Sequence, residues 1–287
     1  MPVIPMSQRR QRPSCEPDQP LIATHSNELP QIECSRFSNV LALFESAVIF
    51  PMSIAENIAA VRRRMESAAR RVSRSPGDIT LMAVSKTWPS ASILAACEAG
   101  IRVFGENRVQ EFATKAELLR DLKEVEFHLI GHLQSNKAAR AVELFDGIDS
   151  LDSLRLAQKL NESAGHRGRP LPVLVEINSG GEEQKSGFEA GSNDLDELLS
   201  AASALTHLEF RGLMTIPPFT EDPEGARPFF RRLRELRNRL AERKPAGVSL
   251  DVISMGMSHD FEVAIEEGST CVRVGNAIFG ARAQAHL

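Results

Sequence analysis

The sequence contains no tyrosine, a single tryptophan and no long hydrophobic run. No apolar stretch approaches the about 20 residues that a membrane-spanning helix needs, so we expect no membrane association. Four cysteines form neither a close pair nor a metal-ligand spacing, which predicts a reduced, cytoplasmic protein without a metal site. A net charge of −4 over 287 residues argues against bulk attraction to nucleic acid. What remains, 42% hydrophobic and 25% charged residues, is typical of a soluble globular protein.

The first 51 residues differ in composition from the rest. Prolines are scattered through them among Ser, Gln and Glu, which predicts either a disordered extension over residues 1–51 or a translation start at Met52. Regular structure should begin directly afterwards, because Ser53 and Glu56 form the S-x-x-E pattern of a helix capping box. Apolar residues then recur with a helical period. We therefore expect one domain over residues 52–287.

Short β-type runs then alternate with helical patterns along the chain. Parallel strands need crossover connections, usually helices, so eight strands with helices between neighbours predict a single (β/α)8 TIM barrel. A doubly wound open sheet is the alternative. The eight predicted strands are Ile79–Ser85, Arg102–Gly105, Glu126–Ile130, Gly147–Ser150, Pro172–Ile177, Leu208–Met214, Ser249–Ser254 and Thr270–Val274.

Lys86 stands at the carboxyl end of the first predicted strand, where barrels place their functional residues. A lysine with its stem in a core and its amine in a cleft has a depressed pKa and is suited to form a Schiff base with an aldehyde. The alternative is a lysine whose stem packs on the barrel while its amine reaches water.

The last two strands are followed by residues typical of an anion site. Ser258 and Gly256 come after the seventh strand, and Gly275 and Asn276 come after the eighth. Barrels commonly hold phosphate there, because glycines let backbone N–H groups approach the oxygens and a serine hydroxyl adds a donor. Asp260 is expected to cap the following helix. The alternative is that these are ordinary loop glycines.

Arg273 lies inside the apolar eighth strand, so it must find a partner or reach the cleft. A lysine, a phosphate site and an inward arginine together suit pyridoxal 5′-phosphate (PLP), with Arg273 facing the pyridine nitrogen. A cation at that position disfavours protonation of the nitrogen and weakens the ring as an electron sink. The alternative for Arg273 is an ion pair with a barrel carboxylate.

Several segments, in order, resemble the pyridoxal phosphate homeostasis protein family, and together they span about residue 52 to the end. The segments that carry the resemblance are Ala83–Thr87, Phe104–Asn107, Phe127–Lys137, Gly212–Pro218, Ser254–Ser258 and Val272–Arg282.

The resemblance implies the barrel of fold-type III PLP proteins, which is related to the N-terminal domain of alanine racemase. It implies that Lys86 is the Schiff-base lysine and that Arg273 is the partner of the ring nitrogen. It further implies phosphate contacts from Ser258, Gly275 and Asn276, and a place near the cofactor for Asn107. Asn276 stands where the family would have a small Thr, Ser or Ala. The resemblance therefore implies a phosphate contact from its backbone N–H but not from its side chain.

The same resemblance implies a protein that buffers or delivers PLP without catalytic turnover. A racemase of this class needs two bases, and the second is commonly a tyrosine from an additional β domain. This chain has no tyrosine and ends seven residues after Gly280, so we expect no second domain and no catalytic residue. We expect a monomer or weak dimer, with apo forms of PLP-dependent enzymes as candidate recipients of the cofactor.

Two enzyme classes compete with this interpretation. One is a PLP-dependent enzyme such as an amino-acid racemase, with His132 or Lys137 as the other base. The other is a phosphosugar barrel enzyme, which would form no imine with PLP.

Overall fold

The computed structural model describes residues 52–181 and 186–280. The extension predicted over residues 1–51 lies outside these ranges, and its disorder stays a prediction. The strands of the described residues are β1 (Thr80–Val84), β2 (Val103–Glu106), β3 (Glu126–Leu129), β4 (Gly147–Leu151), β5 (Leu171–Asn178), β6 (Phe188–Glu189), β7 (Leu208–Met214), β8 (Val248–Met257) and β9 (Cys271–Val274). The helices are α1 (Ile54–Arg71), α2 (Ser90–Glu98), α3 (Val109–Leu119), α4 (Ala138–Leu144), α5 (Leu154–Ala164), α6 (Asn193–Ala201), α7 (Arg227–Arg243), α8 (Phe261–Glu266) and α9 (Asn276–Phe279).

Eight of the strands close into a parallel barrel. Their order around the ring is β1, β2, β3, β4, β5, β7, β8, β9 and back to β1, while the short β6 pairs with β5. From β1 to β9, a helix connects each strand of the ring to the one that follows it in the chain, as parallel pairing requires. The predicted (β/α)8 barrel is therefore confirmed, and the open sheet is wrong.

The capping box predicted at the start of the domain is present. Ser53 Oγ accepts the N–H of Glu56 at 3.2 Å, and the Glu56 carboxylate accepts the N–H of Ser53 at 2.8 Å. The helix that follows, α1, buries a stripe of residues at helical spacing, Ile58, Val61, Met65 and Ala68. It packs against α8 and α9, the two helices that flank the last strand of the barrel.

Strand β8 is longer than the sequence predicted. It continues past Ser254 to Met257, so Gly256 lies within the strand rather than in a loop. Gly256 has a φ of +92°, and a Cβ there would lie 2.5 Å from the Cβ of Ala264 in α8. The glycine therefore lets α8 pack directly on the strand, and only residues 258–260 connect the two elements.

Two strands of the barrel are buried along their whole length. Strands β4 and β9 are buried at every position, which is typical of parallel strands covered on both faces. This explains why Asp149 and Arg273, which lie in these strands, are each only 2% exposed. Among residues 52–181 and 186–280, no helix has the length and hydrophobicity that crossing a membrane demands.

Candidate functional site

A cavity of about 240 Å³ lies at the carboxyl-terminal mouth of the barrel. All six residues predicted as cofactor contacts line it: Lys86, Asn107, Ser258, Arg273, Gly275 and Asn276. They come from the ends of β1, β2, β8 and β9, which are neighbours in the ring. Most of the other lining residues are apolar, and the set is Val84, Trp88, Ile130, Ile216, Met257 and His259. Because the barrel closes, residues after the first two strands of the ring and residues of the last two strands line the same cavity.

Lys86 lies in a tight turn directly after β1. Ser85 is fully buried, Lys86 is half-buried, and the N–H of Trp88 donates to the carbonyl of Ser85 at 3.0 Å. Thr87, between them, has a φ of +68°, a left-handed conformation that residues other than glycine rarely adopt. The turn therefore needs support from its surroundings.

A buried ion pair beneath this turn supplies that support. Lys115 Nζ lies 2.8 Å from Glu106 Oε1, and the same oxygen accepts the hydroxyl of Ser85 at 2.8 Å. Burial raises the pKa of Glu106, although Lys115 and Ser85 counteract this effect. Sequence reasoning missed Lys115. The available signal was a lysine on the apolar face of α3, three residues after Phe112 and four before Leu119.

The predicted anion contacts converge on the hydroxyl of Ser258. Its Oγ accepts the N–H of Gly275 at 3.1 Å and the N–H of Ala277 at 3.4 Å. Since the serine oxygen accepts in both bonds, its own O–H can be donated to an anion. The predicted pair of loops after β8 and β9 is therefore joined through one side chain at the cavity wall.

Asp260 does not cap α8 as predicted. It occupies the position before the helix, but its carboxylate accepts the N–H of Met257 at 2.6 Å and no helix N–H. Burial raises the pKa of Asp260, and the bond from Met257 opposes this change. The sequence pattern located the residue correctly but not its partner, because the short connection turns the side chain back to the end of β8.

Arg273 is 2% exposed and donates to two neutral acceptors. Its Nη1 donates to Ser254 Oγ at 2.6 Å, and its Nη2 donates to the carbonyl oxygen of Thr215 at 2.7 Å. Within the described residues it forms no ion pair, which is against the alternative of a barrel carboxylate as direct partner. Burial lowers its pKa from the usual high value of an arginine.

Asn107 lies where two loops approach each other closely. A Cβ on Gly131 would lie 2.3 Å from the carbonyl oxygen of Asn107 and 2.7 Å from its Oδ1. Only glycine leaves room for this approach, so Gly131 fixes Asn107 against the loop that follows β3.

Trp88 connects the lysine turn to the opposite side of the cavity. Its ring stacks on Phe279 of α9, with ring centroids 5.6 Å apart. The same helix begins at Asn276, one of the residues that line the cavity. Trp88 is thus a contact between the lysine turn and the segment that follows β9.

The two residues named as alternative bases lie elsewhere. His132 and Lys137 line a separate cavity of about 360 Å³ and are absent from the lining of the Lys86 cavity. His132 Nδ1 lies 2.9 Å from Asp152 Oδ2 and 3.3 Å from Ser186 Oγ. Asn107 borders both cavities.

Comparison with known proteins gives consistent matches over the barrel. Residues 54–283 match the family described as "Alanine racemase, N-terminal domain". Pyridoxal phosphate homeostasis proteins of Aquifex aeolicus (strain VF5) and Escherichia coli (strain K12) are 44% and 45% identical to this chain, covering 80% of it and 99% and 97% of their own lengths.

Solved structures agree with these matches. PipY of Synechococcus elongatus PCC7942, determined with PLP bound, matches with a TM-score of 0.69 and 38% identity, covering 79% of this chain and 100% of that chain. Alanine racemase of Streptomyces coelicolor A3(2) matches with a TM-score of 0.59 and 20% identity over 78% of this chain and 59% of that chain, which is a likeness of fold alone.

Proposed function

Because the chain belongs to the pyridoxal phosphate homeostasis protein family, we propose that it binds PLP reversibly in the cavity at the barrel mouth and maintains the supply of this cofactor. The observation that carries the proposal is the convergence of Lys86, Ser258, Arg273 and Gly275 on one cavity with apolar walls. In one place, an amine can form a Schiff base with the aldehyde of PLP, a hydroxyl can bind its phosphate and an arginine can face its pyridine nitrogen.

The residues around the cavity fit the groups of PLP. When bound, the cofactor supplies an aldehyde carbon with which a neutral lysine amine condenses, releasing water. We assign that amine to Lys86, because it is half-buried in the cavity wall and its turn is held from beneath.

Ser258 and Arg273 supply the remaining polar contacts in this proposal. Ser258 donates its O–H to the phosphate while its Oγ accepts the N–H of Gly275, and Asn276 lines the same part of the cavity. Arg273 uses two of its five N–H donors on protein acceptors, so donors remain for the pyridine nitrogen. Asn107 borders the cofactor from the side of β2.

We further propose that the protein holds and releases PLP without turning over a substrate. The two candidate second bases line a different cavity, and no tyrosine exists in the sequence. A buried arginine beside the ring nitrogen would also weaken carbanion stabilisation.

The proposed recipients of the cofactor are apo forms of PLP-dependent enzymes. The proposed compartment is the cytoplasm, and the proposed oligomeric state is a monomer or weak dimer.

An absorbance titration tests the proposal. PLP is added to the wild type, to Lys86→Ala, and to Lys159→Ala as the control, since Lys159 lies on the exposed side of α5 in a pair with Glu162. We expect the visible absorption band of an imine in the wild type and the control, and its loss in Lys86→Ala. The band persisting in Lys86→Ala would contradict the assignment of the amine.

A further inference from the structure

The turn that carries Lys86 is held by one buried ammonium group. Lys115 Nζ lies 3.4 Å from the carbonyl oxygen of Ser85 and 3.2 Å from that of Trp88, so it bonds to both ends of the turn. Its other contacts are Glu106 Oε1 at 2.8 Å and Glu111 Oε1 at 3.2 Å. Glu111 also accepts the backbone N–H of Thr87, the residue with the left-handed backbone.

We propose that Lys115, with Glu106 and Glu111, is a positioning residue that fixes the turn and thereby aims the Lys86 amine at the aldehyde of PLP. The inference rests on the proposed function and deepens it. It gives the buried charges a role in forming the bond to the cofactor rather than in binding the cofactor's phosphate.

Stability alone is a poor reason for these charges. Glu106 is fully buried and Lys115 is 8% exposed, and the cost of removing two such charges from water often exceeds their mutual attraction. Glu106 Oε2 is buried and has no hydrogen-bond partner within the described residues, which adds to the cost. Apolar side chains of similar volume could fill this space, but they could not bond to the carbonyl groups at both ends of a turn.

The backbone of the turn is of the kind that needs such restraint. A non-glycine residue in the left-handed region persists only when its surroundings determine its conformation, and such residues are concentrated at functional sites. Thr87 is held by Glu111 through its N–H, and its hydroxyl bonds to the carbonyl of Lys86 at 2.6 Å. Without Lys115 and Glu111, the turn can relax and carry the Lys86 side chain with it.

The network acts on the lysine side of the cavity and leaves the anion contacts intact. Ser258 and the amides of Gly275 and Ala277 belong to the segments after β8 and β9, and none of them bonds to Lys115. Loss of the Lys115 ammonium should therefore slow the covalent step, in which Lys86 forms an imine with PLP. It should leave the noncovalent affinity for PLP unchanged. In the covalent step Lys86 Nζ bonds to the aldehyde carbon, and the nitrogen's two protons leave with the aldehyde oxygen as water.

A double-mutant cycle tests the inference. Lys115→Met is made in the wild type and in Lys86→Ala, and PLP binding is measured by equilibrium dialysis and imine formation by stopped-flow absorbance. We expect Lys115→Met to slow imine formation about tenfold or more, because a small misplacement of a reacting group has effects of this size. In the Lys86→Ala background, we expect it to change PLP affinity by no more than about twofold.

The control is Lys159→Met, which breaks an exposed lysine–glutamate pair and should leave every rate unchanged. Glu111→Gln is the second variant, because Glu111 lies at the half-buried edge of the network and its loss should not prevent folding. Like Lys115→Met, Glu111→Gln should slow imine formation.

The outcomes separate the inference from the proposed function. If Lys115→Met formed the imine at the wild-type rate, the inference would be overturned but the proposed function would not. An equal loss of PLP affinity in both backgrounds would have the same consequence, because that would indicate a general structural role. Absence of imine in the wild type would overturn the proposed function and this inference together.

Discussion

At the scale of single residues, the barrel mouth keeps a carboxyl group in an unfavourable environment. Glu176 in β5 is 8% exposed, and burial raises its pKa to about 7. The negative charge of Asp152 contributes to this increase, whereas Arg273 and His132 oppose it. The carboxyl is thus partly protonated near neutral pH, next to the arginine assigned to the cofactor.

The free energy of unfolding should therefore fall as pH rises from about 4.5 to about 7, because the folded protein holds a proton at Glu176 that the unfolded chain releases. Glu176→Gln should reduce this dependence and raise the free energy of unfolding above pH 7 by about 1–3 kcal/mol. Urea unfolding at several pH values measures the free energy of unfolding of both proteins. Glu189→Gln, in an exposed position of the neighbouring β6, is the control and should follow the wild-type curve. If the free energy of unfolding of Glu176→Gln depended on pH as it does in the wild type, Glu176 would not be the cause of the dependence.

Trp88 offers a direct signal of occupancy, because it is the one tryptophan of the sequence and it lines the cavity. PLP bound beside the indole should lower the intrinsic fluorescence, and Trp88→Phe should lose the signal while keeping the imine band. A fluorimetric titration run alongside absorbance measures both. Unchanged emission at saturation would place PLP away from this wall.

At the scale of the elements, two loops meet at Gly131, and the fit leaves no space for a side chain. In Gly131→Ala the new Cβ would lie 2.3 Å from the carbonyl oxygen of Asn107, so the backbone must shift. We expect a loss of about 1–3 kcal/mol in the free energy of unfolding, together with weaker PLP binding. Denaturant unfolding and dialysis measure the two effects.

The matched control is Gly165→Ala at the end of α5. Its φ is −57°, and a Cβ there would have its nearest neighbour at 3.5 Å, an ordinary contact. This variant should keep wild-type stability and binding. Equal behaviour of the two variants would show that the loop contact has no special importance.

The elements also show what the sequence could and could not predict. Alternating β-type runs and helical patterns specified the barrel, because each buried strand and each connecting helix has a local signature. Residues that follow strand ends identified Lys86, Ser258, Gly275 and Asn276, and a charge inside an apolar strand identified Arg273. The place of Asn107 near the cofactor was implied only by the family resemblance. Gly256 was misread as a loop residue, since its role is to admit α8 against β8, and that approach is a tertiary contact.

The Lys115 network could not be predicted for a similar reason. Lys115 reaches back 27 to 30 residues to the carbonyl groups of Trp88 and Ser85, and nothing in the sequence reports which carbonyls it meets. Asp260 was correctly placed before α8, but its partner depended on the length of β8, which the sequence underestimated.

At the scale of the whole molecule, the described residues form a barrel with a cavity at its carboxyl-terminal mouth, and the predicted lysine lines that cavity. We expect the purified protein, loaded with PLP, to leave the configuration of amino acids unchanged. The physical reason is that racemisation needs a second base on the opposite face of the cofactor, and His132 and Lys137 line another cavity.

Chiral chromatography of amino acids after long incubation measures this directly. Buffer and Lys86→Ala serve as controls for background scrambling. Racemisation that depends on Lys86 would contradict the carrier proposal and would favour a PLP-dependent enzyme.

The central claim is that one amine at the end of β1 carries the cofactor. Borohydride reduction of the PLP-loaded protein, followed by peptide mass mapping, tests it most directly because reduction makes the bond permanent. The account predicts a single labelled peptide, with the pyridoxyl group on Lys86. Label on another lysine, or no label at all, would contradict it.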